Sequence, residues 1–294
     1  MPAKRSRYRP DPIRSFSVPK PGGGGWRRFA ILSERDDRRW EALAGAVAGV
    51  LEPHLDPRVA ANRAVVSWRG WRLEPTGVAL RRARALAPRS GLLLHTDVED
   101  FYASITPSVL TRTLALVGAS QQSTRLAGDM IDGWSDHGYP GLPIGPVGSA
   151  VLANAVLVGV DRALRSLRFV RWVDDYVIGV PSEGAAGGIL ERMDDCLAGL
   201  GLRRSARKTR ILEGHDGIAW LRGKLSAPAS TAPAENTKSA PARVLLDRIA
   251  GPSDRERPTV DDAVSSLARS HVVAHRRWRV DPRGRAARAA GGLG

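Results

Sequence analysis

Phe169-Val170-Arg171-Trp172-Val173-Asp174-Asp175-Tyr176-Val177-Ile178-Gly179-Val180 sets two short apolar, β-branched and aromatic runs on either side of two adjacent carboxylates. This pattern predicts a β-hairpin with Asp174 and Asp175 at its turn. Asp is a common turn residue because it bonds its own backbone, and that is one reading of the pair. Neighbouring carboxylates also repel and raise each other's pKa, so a rigid tip carrying both is a natural place for a cation.

Two upstream stretches favour the second reading. Gly91-Leu92-Leu93-Leu94-His95-Thr96-Asp97-Val98-Glu99-Asp100-Phe101-Tyr102 runs a buried apolar strand into Asp97, and a helix should open at Thr106-Pro107, where Pro suits the first turn. Gly141-Leu142-Pro143-Ile144-Gly145-Pro146-Val147-Gly148-Ser149 is a Gly- and Pro-fixed loop whose backbone can approach a ligand closely. A helix is expected after it, from about residue 147 to 167, with Asn154 and Asp161 as polar-face or helix-packing residues.

In this order the three stretches resemble motifs A, B and C of the reverse transcriptase palm. Asp97 matches the motif A aspartate, Leu142 to Ser149 the motif B loop, and Trp172-Val173-Asp174-Asp175 the tyrosine-x-Asp-Asp box with Trp in place of Tyr. The resemblance implies an α+β right-hand polymerase fold, with fingers, a palm built on an antiparallel sheet packed on helices, and a short helical thumb-like C-terminal region. It also implies RNA-directed DNA polymerase activity, the addition of dNTPs to a 3′-hydroxyl by two-metal nucleotidyl transfer. Asp97, Asp174, Asp175 and the Val98 carbonyl would hold two Mg²⁺ ions, or Mn²⁺ in their place. Tyr102 would pack under the sugar and exclude a ribose 2′-hydroxyl. Pro143, Gly145 and Ser149 would shape the nucleotide site. Ile144 stands where many members carry Gln, and the residue after Ser149 is not Pro. That loop is closest to bacterial abortive-infection and unknown-group, defence-associated reverse transcriptases.

The weaker segments extend the same pattern. Ser15 to Leu32 reads as a hairpin around the Gly22–Gly25 turn, and its Lys20, Arg27 and Arg28 are placed to close on a triphosphate, as in the family's fingers. A helix capped by Ser33 should follow, with Trp40, Leu43, Ala44, Val47, Val50 and Leu51 apolar, and a further helical piece is expected over residues 68–88. Arg63 is a contact for template or phosphate, or a solvated surface residue. Lys208, in a stretch like motif D, is the candidate acid for the leaving pyrophosphate. Trp172 would lie near the primer end, and Trp220 and Gly223 resemble the primer grip.

Residues 1–14 read as a basic arm with little fixed structure, 15–90 as fingers, 91–225 as palm, 226–242 as an Ala-, Pro-, Ser- and Thr-rich linker, 243–280 as thumb-like helices and 281–294 as a disordered tail. A net charge of +15 on 294 residues points to a polyanionic partner, although Arg-rich coding alone would raise it. Expected partners are an RNA template or structured non-coding RNA, a DNA product, dNTPs, and a partner protein or second copy of the chain. One cysteine, Cys196, excludes a disulfide framework and a zinc cluster, which suits a reducing compartment. No apolar run reaches membrane-spanning length and the Arg-rich start lacks the apolar core of a signal peptide, so a cytoplasmic protein without membrane contact is expected. Two rivals keep the same residues: a template-independent or protein-primed DNA polymerase, and a catalytically silent RNA-binding scaffold. An RNA polymerase is disfavoured by Tyr102.

Overall fold

The computed structural model describes residues 7–20, 25–86, 88 and 91–213. The expected linker, thumb-like helices and tail, together with Trp220 and Gly223, lie outside the described residues.

A four-stranded antiparallel sheet in the order β6-β7-β5-β8 organises the chain, formed by β5 (Leu92–Asp97), β6 (Phe169–Trp172), β7 (Asp175–Val180) and β8 (Arg210–Leu212). Its apolar residues serve two faces. Leu94, Phe169, Tyr176, Ile178 and Val180 join the main core, whereas Leu93, Val170 and Val177 pack with Ala60 and Ala83 on the other side. Covered on both faces, β5 has no solvated side to alternate with, which explains its unbroken Leu92–Leu94 run and the burial of His95, Thr96 and Asp97 after it.

Against the main face lies α6 (Val147–Ala163), buried around most of its circumference. It is flanked by α1 (Glu34–Leu51), α4 (Pro107–Leu116) and α7 (Glu183–Ala198), and α5 (Gln121–Asp136) packs on α1 and α4. A helix apolar on all sides makes sense only at the centre of such a packing. The helix starts follow the expected caps. Ser33 accepts a bond from the Asp36 amide, and Thr106 accepts one from Val109 with Pro107 in the first turn. On α1 the apolar stripe is buried as expected apart from Val50, which is exposed.

Two hairpins precede the sheet, β1 (Arg14–Pro19) with β2 (Trp26–Ile31) and β3 (Ala64–Ser67) with β4 (Gly70–Leu73). The second corrects the helix expected from residue 68, because only α2 (Thr76–Leu86) is helical there. Val65 and Val66 pair with Arg72 and Trp71, and Gly70 at φ +116° turns the chain where a helix could not. Residues 7–13 also differ from the loose arm expected. Asp36, fully buried in the first turn of α1, accepts a 2.5 Å bond from the Tyr8 hydroxyl and a 2.7 Å bond from the Asp11 amide. Pro10 fills the space over Gly133, where an added Cβ would lie 2.4 Å from it.

One buried polar cluster ties these layers together. Arg171, fully buried on β6, donates from Nε and Nη2 to the two oxygens of Asp161 on α6 at 2.9 and 2.7 Å. Its Nη1 donates to Asn154 Oδ1 and to the Val173 carbonyl, at 2.9 and 2.6 Å. Asn154 in turn donates to the carbonyls of Ala61 and Asn62, and the Tyr176 hydroxyl donates to Asp161. Every partner in the cluster is satisfied, which is the condition under which buried charge is tolerated. Removing Arg171 alone strands the Asp161 charge, so Arg171→Met is expected to cost about 3–5 kcal/mol in a urea titration. A cost below about 1 kcal/mol would mean that the cluster is not holding the layers together.

Candidate active site

Strand register brings the expected carboxylates together. Asp97 at the end of β5 lies directly opposite Asp175 at the start of β7, so their side chains share one face of the sheet. Asp174 occupies the two-residue turn between β6 and β7 with Val173, which places the turn one residue earlier than the sequence pattern suggested. Val173 has φ +62°, a left-handed conformation that β-branched residues rarely adopt. Only the first central residue has positive φ, as in a type II′ turn, where Gly is usual. The Arg171 bond to the Val173 carbonyl holds that unfavourable geometry, and with it the position of Asp174.

The electrostatics record how close the charges are. Desolvation, then the charges of Asp97 and Asp175, push the Asp174 carboxyl from its ordinary 3.8 up to about 7. Lys208, on a 3-10 turn over Ala206–Lys208, places its ammonium 2.9 and 2.8 Å from the two oxygens of Asp97. Partial burial lowers the Lys208 pKa, but the bond and charge of Asp97, helped by Asp174 and Asp175, raise it overall. His95 Nε2 lies 2.5 Å from Asp175 Oδ1 and orients that carboxylate. Three carboxylates answered chiefly by one half-exposed ammonium form a donor set of the hard, all-oxygen kind that suits a divalent cation. Among the described residues no three such side chains are already gathered around one point; Asp97 is engaged with Lys208 and Asp175 with His95.

The loop from Gly141 packs between this centre and the first hairpin. Gly141, at φ +79°, sits where an added Cβ would be 2.5 Å from the carbonyl oxygens of Tyr102 and Ala103, so only glycine fits. Leu142 donates to the Tyr102 carbonyl at 2.7 Å, and Ala30 of β2 donates to Ile144 at 2.7 Å. Arg27 on β2 is exposed, and its charge acts on the Tyr102 phenol. Burial and then the Asp174 charge raise the Tyr102 pKa well above its usual value, against the opposing charge of Arg27.

Other expected site residues are committed within the fold. Ser149, in the first turn of α6, is buried and accepts a 3.0 Å bond from the Trp40 indole, which ties α6 to α1, and Pro143 is buried in the loop. Arg28 donates to Ser15 and to the Gly138 carbonyl and lies over the Tyr139 ring at 4.7 Å. Arg63 is held by Glu52 and by the Asp56 carbonyl, a structural ion pair rather than a solvated cation. The amide of Lys20 closes the hairpin on the Gly25 carbonyl at 2.7 Å. Val98 has its side chain in the core, and the ladder bonds around it run from Glu99 to Arg203 and from Ser205 to Asp97, leaving its carbonyl outside that ladder. Trp172 is half-buried beside Asp175. Sequence reasoning missed Arg171 and His95 as supports of the site. Charge inside a hairpin and within a buried strand was the only local signal for either.

A raised carboxyl pKa gives a signed pH dependence. In the folded chain Asp174 binds its proton more tightly than when unfolded, so without metal its contribution turns unfavourable as pH rises from about 4 to about 7. Wild type is expected to lose roughly 1–3 kcal/mol across that window relative to Asp174→Asn. Parallel denaturant titrations of the two metal-free proteins check this, and coincident curves would mean that neither burial nor the neighbouring charges raise the Asp174 carboxyl.

Comparison with curated protein sequences finds no match. Among solved structures, the chain is similar to telomerase from Candida albicans in complex with the TWJ fragment of telomeric RNA, at a TM-score of 0.48 and 11% identity over 72% of this chain and 43% of that one. It is similar also to apo telomerase from Candida tropicalis, at 0.49 and 10% over 74% and 46%. A chain of an RdRp complex gives 0.41 and 12% over 68% and 20%. The chain thus spans less than half the length of each of these. The family model described as reverse transcriptase (RNA-dependent DNA polymerase) matches residues 18–225, which takes in β2 of the first hairpin, the loop and all three carboxylates. With that match over more than half of its length, the chain belongs to the reverse transcriptase family.

Proposed function

We propose that this chain is an RNA-directed DNA polymerase that extends a 3′-hydroxyl with dNTPs. The observation that carries the reading is the placement of Asp97 opposite Asp175 with Asp174 at the adjoining turn, inside the segment that the family model covers. On this reading residues 15–90 are fingers and 91–225 palm, an RNA template and a DNA product are its nucleic acids, and dNTPs its substrates. Asp97, Asp174 and Asp175, with the Val98 carbonyl, would hold Mg²⁺ or Mn²⁺, which supplies Lewis-acid stabilisation of the charge that develops on the transferred phosphoryl group. Lys208 must leave Asp97 for that, and its ammonium is then free to meet the leaving pyrophosphate as charge or as acid. Arg27 offers a guanidinium fork to the triphosphate, and Gly145, with its neighbours in the loop, shapes the nucleotide site.

Crowded acids argue against a silent scaffold. A carboxyl pushed to about 7 by burial, and then by the charges of Asp97 and Asp175, destabilises the folded chain at neutral pH, a cost that a cation bound there would offset. The motif B loop, Leu142-Pro143-Ile144-Gly145-Pro146, supports a role in bacterial antiphage defence by its likeness to abortive-infection members, and such a role would bring in a structured RNA or partner protein. No described helix is long and apolar enough to cross a membrane.

Incorporation of labelled dNTPs in Mg²⁺ should fall to background in Asp97→Ala and in Asp174→Ala, with both variants still folded. Equal incorporation by wild type and either variant would remove the assignment. Tyr102→Ala should raise the use of rNTPs relative to dNTPs, on the order of 10-fold or more, a size set by the loss of one steric contact at the sugar. An unchanged ratio would place sugar discrimination elsewhere.

A further inference from the structure

A groove of about 1060 Å³ lies away from the carboxylates, between the N-terminal arm, the start of α1 and the start of α5. Arg9, Arg39 and Arg125 line it, and all three are exposed and form no ion pair among the described residues. Arg7 and Arg35 also face it, but they are balanced by Asp129 and Asp132 and by Asp11 and Asp36. The groove therefore carries three uncompensated guanidinium groups, each a planar fork of the kind that grips phosphate oxygens. Gln121 and Gln122 add amide groups at its rim, at the positive end of the 16-residue α5.

The arrangement is built rather than incidental. Tyr8 is held at both ends, its amide donating to Asp129 at 3.1 Å and its hydroxyl to buried Asp36 at 2.5 Å. Arg39 and Arg35 lie over its ring at 4.4 and 5.4 Å, so the ring props the guanidinium groups in place. Together with Pro10 over Gly133, these contacts fix the arm so that Arg9 lines the same groove as Arg39 and Arg125.

We infer that this groove binds the phosphodiester backbone of an RNA outside the catalytic cleft. At 1.5 Å per residue, α5 is about 24 Å long. Its far end leads into Gly138, whose carbonyl Arg28 of the first hairpin engages, while the groove runs along its first half, from Gln121 to Asp129. No residue lining the groove belongs to the carboxylate centre, the Gly141 loop or the first hairpin, so what lies in it is a part of the nucleic acid other than the base pair at the primer end. RNA is the occupant that follows from the Proposed function, on which this inference rests, because a template strand continues beyond the cleft. A DNA occupant and an acidic protein segment are the outcomes that oppose it.

The test measures fluorescence anisotropy of a labelled RNA hairpin with a single-stranded extension, across a salt series, on the full chain. Arg39→Ala/Arg125→Ala is expected to weaken binding about 10-fold or more and to reduce the slope of log affinity against log salt by about 1.5. Arg39→Lys/Arg125→Lys should keep most of the slope, because the charge remains. Thermal melts check that each variant is folded. Unchanged affinity and slope in the Ala pair would overturn the inference. Equal groove-dependent binding of DNA of the same sequence, or groove-dependent binding of a poly-glutamate peptide without any effect on RNA, would overturn the assignment to RNA. Incorporation on a short primer–template is read separately. Its absence in wild type would defeat the polymerase reading while the binding result still decides the groove.

Discussion

Three carboxylates brought to one end of a sheet are the constraint around which this chain is arranged. Cross-strand pairing of Asp97 with Asp175 and the adjacent turn at Asp174 gather negative charge, and burial, followed by those charges, holds the Asp174 carboxyl up at about 7. The surrounding fold keeps that charge in place by clamping each member separately. Lys208 holds Asp97, His95 holds Asp175, and Arg171 holds the backbone of the turn that carries Asp174.

Those clamps differ in permanence. Arg171 is fully buried and bonded to Asp161, Asn154 and Val173, so the turn is part of the core and cannot relax without the core. Lys208 is half exposed on a short 3-10 turn and can exchange Asp97 for another partner at small cost. A site with a rigid turn and one exchangeable cation is prepared to take up a different cation without refolding. The loop at Gly141 to Ile144 extends the same logic to the hairpin of β1 and β2, since backbone bonds link it to Tyr102 on one side and Ala30 on the other.

Much of this was legible in the sequence, and the physical reason is local. The apolar run before Asp97, the break at Asp174 and the glycines of the loop each follow from backbone geometry that neighbouring residues dictate. Gly141 is a direct case, since its positive φ and its contact with Ala103 leave no room for a Cβ. What the sequence could not disclose were partners brought together from afar. Asn154 and Asp161 read as polar helix residues, but that they serve an arginine in the hairpin depends on how α6 lies against the sheet. Arg63 looked available for template, yet Glu52, eleven residues away, claims it. Residues 7–13 looked loose because nothing in them reveals the buried carboxylate of Asp36 to which they are fastened. The strands of 64–73 were hidden by the Arg-rich helical pattern that follows them.

The family match and the geometry together make templated synthesis the central claim, and one measurement addresses it without depending on any substitution. The purified chain is given a DNA primer annealed to an RNA of defined sequence, with dNTPs and Mg²⁺, and the extended products are sequenced. Products complementary to the supplied RNA are the expected result. Products whose sequence is indifferent to that RNA would contradict the assignment of this chain as an RNA-directed polymerase.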